Sequence, residues 1–327
     1  MAHFPQNDSL IFDMNELGRQ GEPFLFIIDY LMKEPLLLPL SKAAKHDIWF
    51  NINGITNFTP TNKSRRELQF KKYPVQYEQF KTAFDKVVSN ISYGNSFLTN
   101  LTFPTPVETN YSLDEIFEYS EAPYKLLFKD KFVVFSPEIF VKITNQTISS
   151  FPMKGTINAQ IEDAARLILN DPKEVAEHHT IVDLIRNDLS IVASDVHVKR
   201  FRYIDEVVTH EKKLLQVSSE ITGTLDKNFS NRIGDIIVKL LPAGSICGAP
   251  KHKTLDVIEE AENYQRGYYT GVFGIFDGKA LDSAVMIRFI EQQNGKMIFK
   301  SGGGITAFSQ PEREYNELID KVYVPIN

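Results

Sequence analysis

Residues 132–156, FVVFSPEIFVKITNQTISSFPMKGT, decide the fold class. Three short runs rich in β-branched and aromatic residues, 132–135, 139–143 and 147–151, are punctuated by Ser136-Pro137 and Asn145-Gln146. This pattern predicts antiparallel strands, the last two joined by a two-residue hairpin turn. Centring the turn on Asn145-Gln146 sets Thr144 opposite Thr147 and, carried to the open end, Glu138 opposite Met153 and next to Lys154. A carboxylate and an amine become neighbours there. They serve either as a surface ion pair or as a proton carrier beside a nucleophilic amine.

Strand and helix patterns alternate on both sides of this hairpin, with no repeat of fixed period. Tyr77, Phe80, Phe84, Val87 and Ile91 recur at three- and four-residue spacing, the mark of a helix with one core-facing stripe. Tyr93-Gly94-Asn95 ends it before a strand near 97–103. The loop Asn62-Lys63-Ser64-Arg65-Arg66 is the plausible subdomain boundary. Near the C-terminus, 296–301 reads as a strand, Gly302-Gly303-Gly304 as a tight connection, and Pro311 as the start of a helix. The glycines match neither the dinucleotide fingerprint nor the phosphate loop, which disfavours nucleotide binding.

Composition narrows the function. A chain of 327 residues with 43% apolar content can bury a large core, and its net charge of -6 argues against a general nucleic-acid binder. The single cysteine, Cys247, excludes an internal disulfide framework and fits a reducing compartment. Residues 1–15 lack a leader pattern, and the most apolar stretch, 24–40, is broken by charges and prolines. A cytoplasmic protein without membrane spans is expected.

Two Glu-x-x-Glu pairs carry the chemistry: Glu174/Glu177 and Glu314/Glu317, each on a predicted helix and each with both carboxylates on one face. Such pairs also serve as solvated helix faces. Four converging carboxylates would suit a hard divalent cation, and the glycine amides could hold an anion beside it. Asp171-Pro172-Lys173-Glu174 reads as a helix start with Asp171 as N-cap, so capping competes with metal binding at Glu174 and favours Glu177 as the direct ligand. Lys321 lies four residues beyond Glu317 and could pair with it or reach a substrate carboxylate. His178 and His179 lack companions at zinc-ligand spacing and read as structural.

Several segments together resemble the chorismate-utilising enzymes. They are Phe151-Pro152-Met153-Lys154-Gly155-Thr156, Ala176-Glu177-His178 leading into 181–189, Pro242-Ala243-Gly244-Ser245 through Lys251, and Arg266-Gly267-Tyr268-Tyr269-Thr270-Gly271. Residues 282–288 and Gly302-Gly303-Gly304-Ile305 through Glu314-Tyr315-Asn316-Glu317 complete the order, so the motifs span about 75–325. The resemblance is greatest to the aminodeoxychorismate synthase component I branch. It implies one α/β enzyme domain over 1–327 with two intimate subdomains. Two antiparallel-rich sheets would pack as a sandwich flanked by helices, as in anthranilate synthase component I.

The resemblance further implies Mg2+ held by Glu177 and Glu317, with Glu174 and Glu314 as outer partners, against the ring carboxylate of chorismate. Arg288, Tyr269, Gly302 and Gly304 would hold the enolpyruvyl carboxylate, with Gly303 in the same segment. Gly155, Thr156, Ser245 and Lys321 fall at further substrate contacts. Lys154 would be the nucleophile and Glu138 its acid/base partner. Ammonia would come from a separate glutamine amidotransferase subunit, since nothing here resembles a glutamine-hydrolysing Cys/His site. The rival activities are those of anthranilate synthase component I and of isochorismate or salicylate synthase, with a non-catalytic chorismate-binding relative beyond them. Two departures stand out. Gln216 occupies a position where many relatives carry a histidine, and no motif for a regulatory amino-acid pocket is present.

Overall fold

The computed structural model describes residues 7–61, 65–208 and 213–326. Residues 62–64 of the loop expected to divide subdomains therefore lie outside the described residues. The chain forms two nine-stranded sheets, and their pairings are antiparallel. In the first, Lys213–Thr224 is flanked by Ser194–Val208 on one side. On its other side Met153–Asn158 and Thr147–Ser150 lie end to end. Beyond Thr147–Ser150 come Ile139–Thr144, Leu281–Val285, Val272–Phe276, Phe24–Ile28 and Leu36–Pro39. The second sheet runs from Gly248–Ala249 through Leu98–Thr109, Lys296–Ile305, Phe289–Gln293, Phe132–Ser136, Tyr124–Phe128 and Ile48–Ile52 to Ile55–Thr56, with Phe70–Lys72 also paired to Leu98–Thr109.

The sheets pack through alternate residues, as the two-residue period of a strand requires. Leu25, Ile27, Phe273 and Ile275 from the first meet Phe50, Leu126, Val134 and Phe289 from the second. The outward set on the same strand, Phe24, Phe26 and Ile28, is buried as well, because the helices Asp8–Gln20 and Ile233–Leu240 cover it with Met14, Ile233 and Ile237. All five residues of Phe24–Ile28 are therefore buried. Each such large apolar side chain contributes roughly 1.5–3 kcal/mol on burial.

The hairpin has the expected register: Thr144 faces Thr147, Ile143 faces Ile148 and Lys142 faces Ser149. Asn145 and Gln146 both take positive φ, 49° and 66°, as a two-residue turn that follows the sheet's twist demands. The pairing does not continue to Glu138 and Met153. Phe151-Pro152 interrupts the strand, since proline has no amide hydrogen to give the ladder, and Met153 pairs with Ser218 instead.

The glycine triplet corrects the sequence reading too. It is no connection between strand and helix but the last part of the strand Lys296–Ile305, with Gly302 opposite Thr102, Gly303 opposite Leu101 and Gly304 opposite Asn100. A β-carbon at Gly302 would lie 2.4 Å from the Thr102 side chain and 2.6 Å from the Leu101 carbonyl, so only glycine fits. The helix Tyr77–Tyr93 forms as predicted and stops at Gly94, whose φ of 88° closes the last turn.

Candidate active site

Lys154 and Gly155 come from the strand Met153–Asn158, and Glu174 and Glu177 from the helix Pro172–Ser190. That helix starts as expected: the Glu174 amide donates to Asp171 Oδ1 at 3.0 Å. Glu314 and Glu317 ride on Pro311–Asp320, and Lys321 sits just past its end as the C-cap. The bare strand 302–304 meets Glu314, Glu317 and Lys321 at Gly303 and Lys154 at Gly304. A β-carbon at Gly303 would stand 3.6 Å from Lys321 Nζ and 3.9 Å from Glu314 Oε2 and Glu317 Oε1, and one at Gly304 would stand 3.2 Å from Lys154 Nζ. The strand Phe289–Gln293 pairs with its neighbour only as far as Lys300. Past that point the glycine segment keeps Leu98–Thr109 on one edge and turns the other towards these side chains.

Each lysine is tied to a carboxylate. Lys154 Nζ lies 3.8 Å from Glu177 Oε2, and Lys321 Nζ lies 2.7 Å from Glu317 Oε1 while donating to the Gly302 carbonyl at 2.9 Å. The expected ion pair between Lys154 and Glu138 is not made. Glu138 instead accepts a short hydrogen bond from the Ser245 hydroxyl. Burial pushes the Glu138 carboxyl above its ordinary range, against the lowering effect of that bond and of the Lys154 and Lys321 charges. Burial thus favours the neutral acid at Glu138 more than at an exposed glutamate. Burial also drives Lys321 down from the usual lysine range, opposed by Glu317.

Arg288 adopts a positive φ of 52°, donates to the Lys321 carbonyl at 2.5 Å and sits over the Tyr323 ring at 4.7 Å. Tyr269 is buried, its ring 5.9 Å from that of Phe289, and burial raises its hydroxyl well above the tyrosine range. Gly155 takes a φ of 81°, and a β-carbon there would lie 2.8 Å from Glu174 Oε2. Thr156 is exposed.

The donor set is oxygen-only and suits Mg2+. Gly155 and Gly303 leave room for Glu174 and for Glu314 with Glu317, respectively. As the side chains stand, no three His, Cys, Asp or Glu among the described residues are close enough to hold a metal ion. Binding a cation there requires Glu177 and Glu317 to exchange an ammonium partner for it.

His178 is structural, as read from the sequence, and two further features escaped it. His178 is buried with Nε2 2.7 Å from Ser219 Oγ, and burial, aided by Arg202, His179 and Lys154, lowers it to about 4, so it packs as a neutral ring. Arg266 and Glu262 form a fully buried pair at 2.6 Å, and Arg266 also donates to the Ile246 and Asn100 carbonyls. Asp188 is buried against Lys251 at 2.8 Å. A carboxylate on the stripe of Ile181, Leu184 and Ile185 was the available signal.

The family model for chorismate binding enzymes matches residues 39–327. An uncharacterized PabA-like protein of Haemophilus influenzae is 51% identical over 326 residues, covering 100% of this chain and 97% of its own. Aminodeoxychorismate synthase component 1 of Bacillus subtilis is 30% identical over 76% of this chain, which spans 55% of that protein. The crystal structure of anthranilate synthase component I from Streptococcus pneumoniae superposes with a TM-score of 0.64 at 26% identity. That match covers 78% of this chain and 58% of the other. Among the described residues, no helix is long and apolar enough to cross a membrane.

Proposed function

The chain belongs to the chorismate-binding enzyme family, and on that premise we propose that it converts chorismate and ammonia to 4-amino-4-deoxychorismate. The observation that carries this reading is Lys154, an amine set against the bare α-carbon of Gly304 and beside Glu177. What supports this branch over those that make anthranilate, isochorismate or salicylate is the resemblance of Pro152-Met153-Lys154-Gly155-Thr156 to its lysine-bearing motif.

In the proposed reaction, Glu177 and Glu317, backed by Glu174 and Glu314, hold Mg2+. When bound, Mg2+ supplies positive charge that neutralises and orients the ring carboxylate. Arg288, Tyr269 and the amides of 302–304 take the enolpyruvyl carboxylate, with Gly155, Thr156, Ser245 and Lys321 lining the remaining substrate surface. Lys154, once its ammonium proton has passed to solvent, attacks ring C2, the double bonds shift, and the C4 hydroxyl leaves as water with the proton that Glu138 carries. Ammonia then attacks C4, the bonds shift back, and the C2–N bond breaks to release Lys154. The surplus ammonium proton returns to Glu138. Glu138's raised affinity for its proton supports this role. Ammonia is supplied by a separate glutamine amidotransferase subunit, and the reaction takes place in the cytoplasm.

Chromatography and mass analysis of the product from chorismate, Mg2+ and ammonium tests this assignment. 4-Amino-4-deoxychorismate is expected, with glutamine used only once an amidotransferase is added. Glu177→Gln and Glu317→Gln should lose activity across a Mg2+ titration without losing the fold. Anthranilate or isochorismate as the product would overturn the assignment.

A further inference from the structure

We propose that Asp188 and Lys251 are positioning residues that hold the Gly244-Ser245 turn in place, keeping the Ser245 hydroxyl hydrogen-bonded to Glu138. The proposal rests on the reading of Glu138 as the proton carrier.

Gly244 and Ser245 open a single helical turn, Gly244–Cys247, too short to set its own position between two longer helices. Ile233–Leu240 stops just before it, and Lys251–Ala261 starts just after it. Lys251 ties both to a third helix: its Nζ donates to the Leu240 carbonyl at 2.9 Å and meets Asp188 Oδ2, from Pro172–Ser190, at 2.8 Å. Asp188 in turn fixes the position of the turn. A β-carbon at Gly244 would lie 2.7 Å from Asp188 Oδ2 and 3.1 Å from Leu184, so the turn is pressed against the carboxylate with no side chain between. The next residue, Ser245, donates to Glu138. Asp188, Gly244, Ser245 and Glu138 all line one cavity of about 20 Å³, room for a single water.

A buried ion pair is a costly way to stabilise a core, because desolvation offsets most of the attraction. Its value here is directional. Burial raises Asp188 above the ordinary carboxylate range, and Lys251 opposes this, so the pair depends on staying together. The Glu138 backbone is fixed independently, with its amide donating to Ser136 Oγ and its carbonyl accepting from the Val285 amide. The Ser245 side is therefore the movable half of the bond. Lys154, Lys321 and Tyr269 are the charged or titratable groups that also act on or respond to Glu138. All three stay unaltered in the test below.

The test is the pH dependence of turnover in Asp188→Asn, Lys251→Met, Lys251→Arg, Ser245→Ala and the Ser245→Ala/Asp188→Asn double variant, each checked for folding by circular dichroism. Losing the Ser245 bond removes something that lowers the Glu138 pKa, so the high-pH limb should move upward. Asp188→Asn and Lys251→Met should show that shift, a kcat lower by roughly 10–100-fold and little change in KM. Lys251→Arg should restore most of both. The double variant should shift no further than Ser245→Ala alone. If Asp188→Asn does not fold, Gly244→Ala displaces the same turn from the other side and should move the limb in the same direction. A uniform fall in rate with the limb unmoved, or additive shifts in the double variant, overturns the proposal. Glu138→Gln separates the two levels. If it retains activity and the limb, the reading of Glu138 fails, whereas an inactive Glu138→Gln with an unmoved limb in Asp188→Asn defeats only the positioning role.

Discussion

Lys154 Nζ stands 3.8 Å from Glu177 Oε2, with both side chains mostly buried. One strand and one helix thus meet through the two groups whose proposed roles differ most, attack on carbon and grip on a cation. Lys154→Ala should cut kcat by at least about 100-fold while leaving the KM for chorismate within a few-fold, because a group used only along the reaction path affects turnover more than binding. Steady-state kinetics and the product spectrum check this. An unaffected rate would remove Lys154 from the chemistry.

The glycines of the bare strand should fail in different ways. Gly302→Ala forces a methyl against Thr102 and the Leu101 carbonyl and should cost about 1–3 kcal/mol of stability. Gly304→Ala instead meets Leu98 Cδ1 at 2.9 Å and the flexible tip of Lys154 at 3.2 Å. It should fold nearly normally and lose turnover. Thermal melts beside rates separate the two, and equal effects of both variants on both quantities would contradict the geometry.

Glu138 links activity and stability through pH. Its carboxyl is raised above the reference 4.5, so the protonated form is the one the fold favours. Stability from this group is fully present below the unfolded value and is lost as pH rises through the folded one. Glu138→Gln should remove that loss, so the variant's melting temperature should gain on the wild type as pH rises above 4.5. Its rate should fall by roughly 10²–10⁴-fold. Melting curves and rates across pH test both halves. A variant whose melting temperature tracks the wild type at every pH would show that Glu138 is not the titrating group.

Glu262 is the charge partner of Arg266 in the interior and also accepts from the Thr102 amide and hydroxyl. Glu262→Gln leaves a guanidinium buried with less than its compensating charge, so a loss of about 3–5 kcal/mol is expected in chemical denaturation. The change should weaken the site as well, since Arg266 holds the Asn100 carbonyl opposite Gly304 and the Ile246 carbonyl beside Ser245. A change under 1 kcal/mol would mean that the network relaxes around the amide.

Local chemistry explains what the sequence revealed. The Asn145-Gln146 turn fixed a register because two left-handed residues permit one pairing, and Gly94 marked a helix end because its conformation excludes a side chain. The glycine strand was misread because glycine has no strand preference of its own. Its reason for being there is the close approach of Thr102 to Gly302, 200 residues apart in the chain. Glu138 was placed beside Lys154 by extending a ladder that Pro152 cuts, and its real partner, Ser245, comes from a turn that no local pattern could bring near. The carboxylate pairs were visible because helical spacing puts them on one face. Their engagement by Lys154 and Lys321 was not, since it depends on how separate elements pack.

The strand Phe24–Ile28 imposes an order on biosynthesis. It can pair with Leu36–Pro39 almost as soon as both leave the ribosome, but its other edge waits for Val272–Phe276, roughly 240 residues and about 12–50 s of translation later at ~5–20 residues per second. Until then five consecutive large apolar residues form an incomplete ribbon with one open edge, the kind of surface that recruits wrong partners. The segment that completes this sheet, 272–285, runs directly into Arg288 and then to the glycine strand. A nascent chain therefore gains its protected interior and its substrate-facing wall in the same late interval, and one interrupted before that interval has neither.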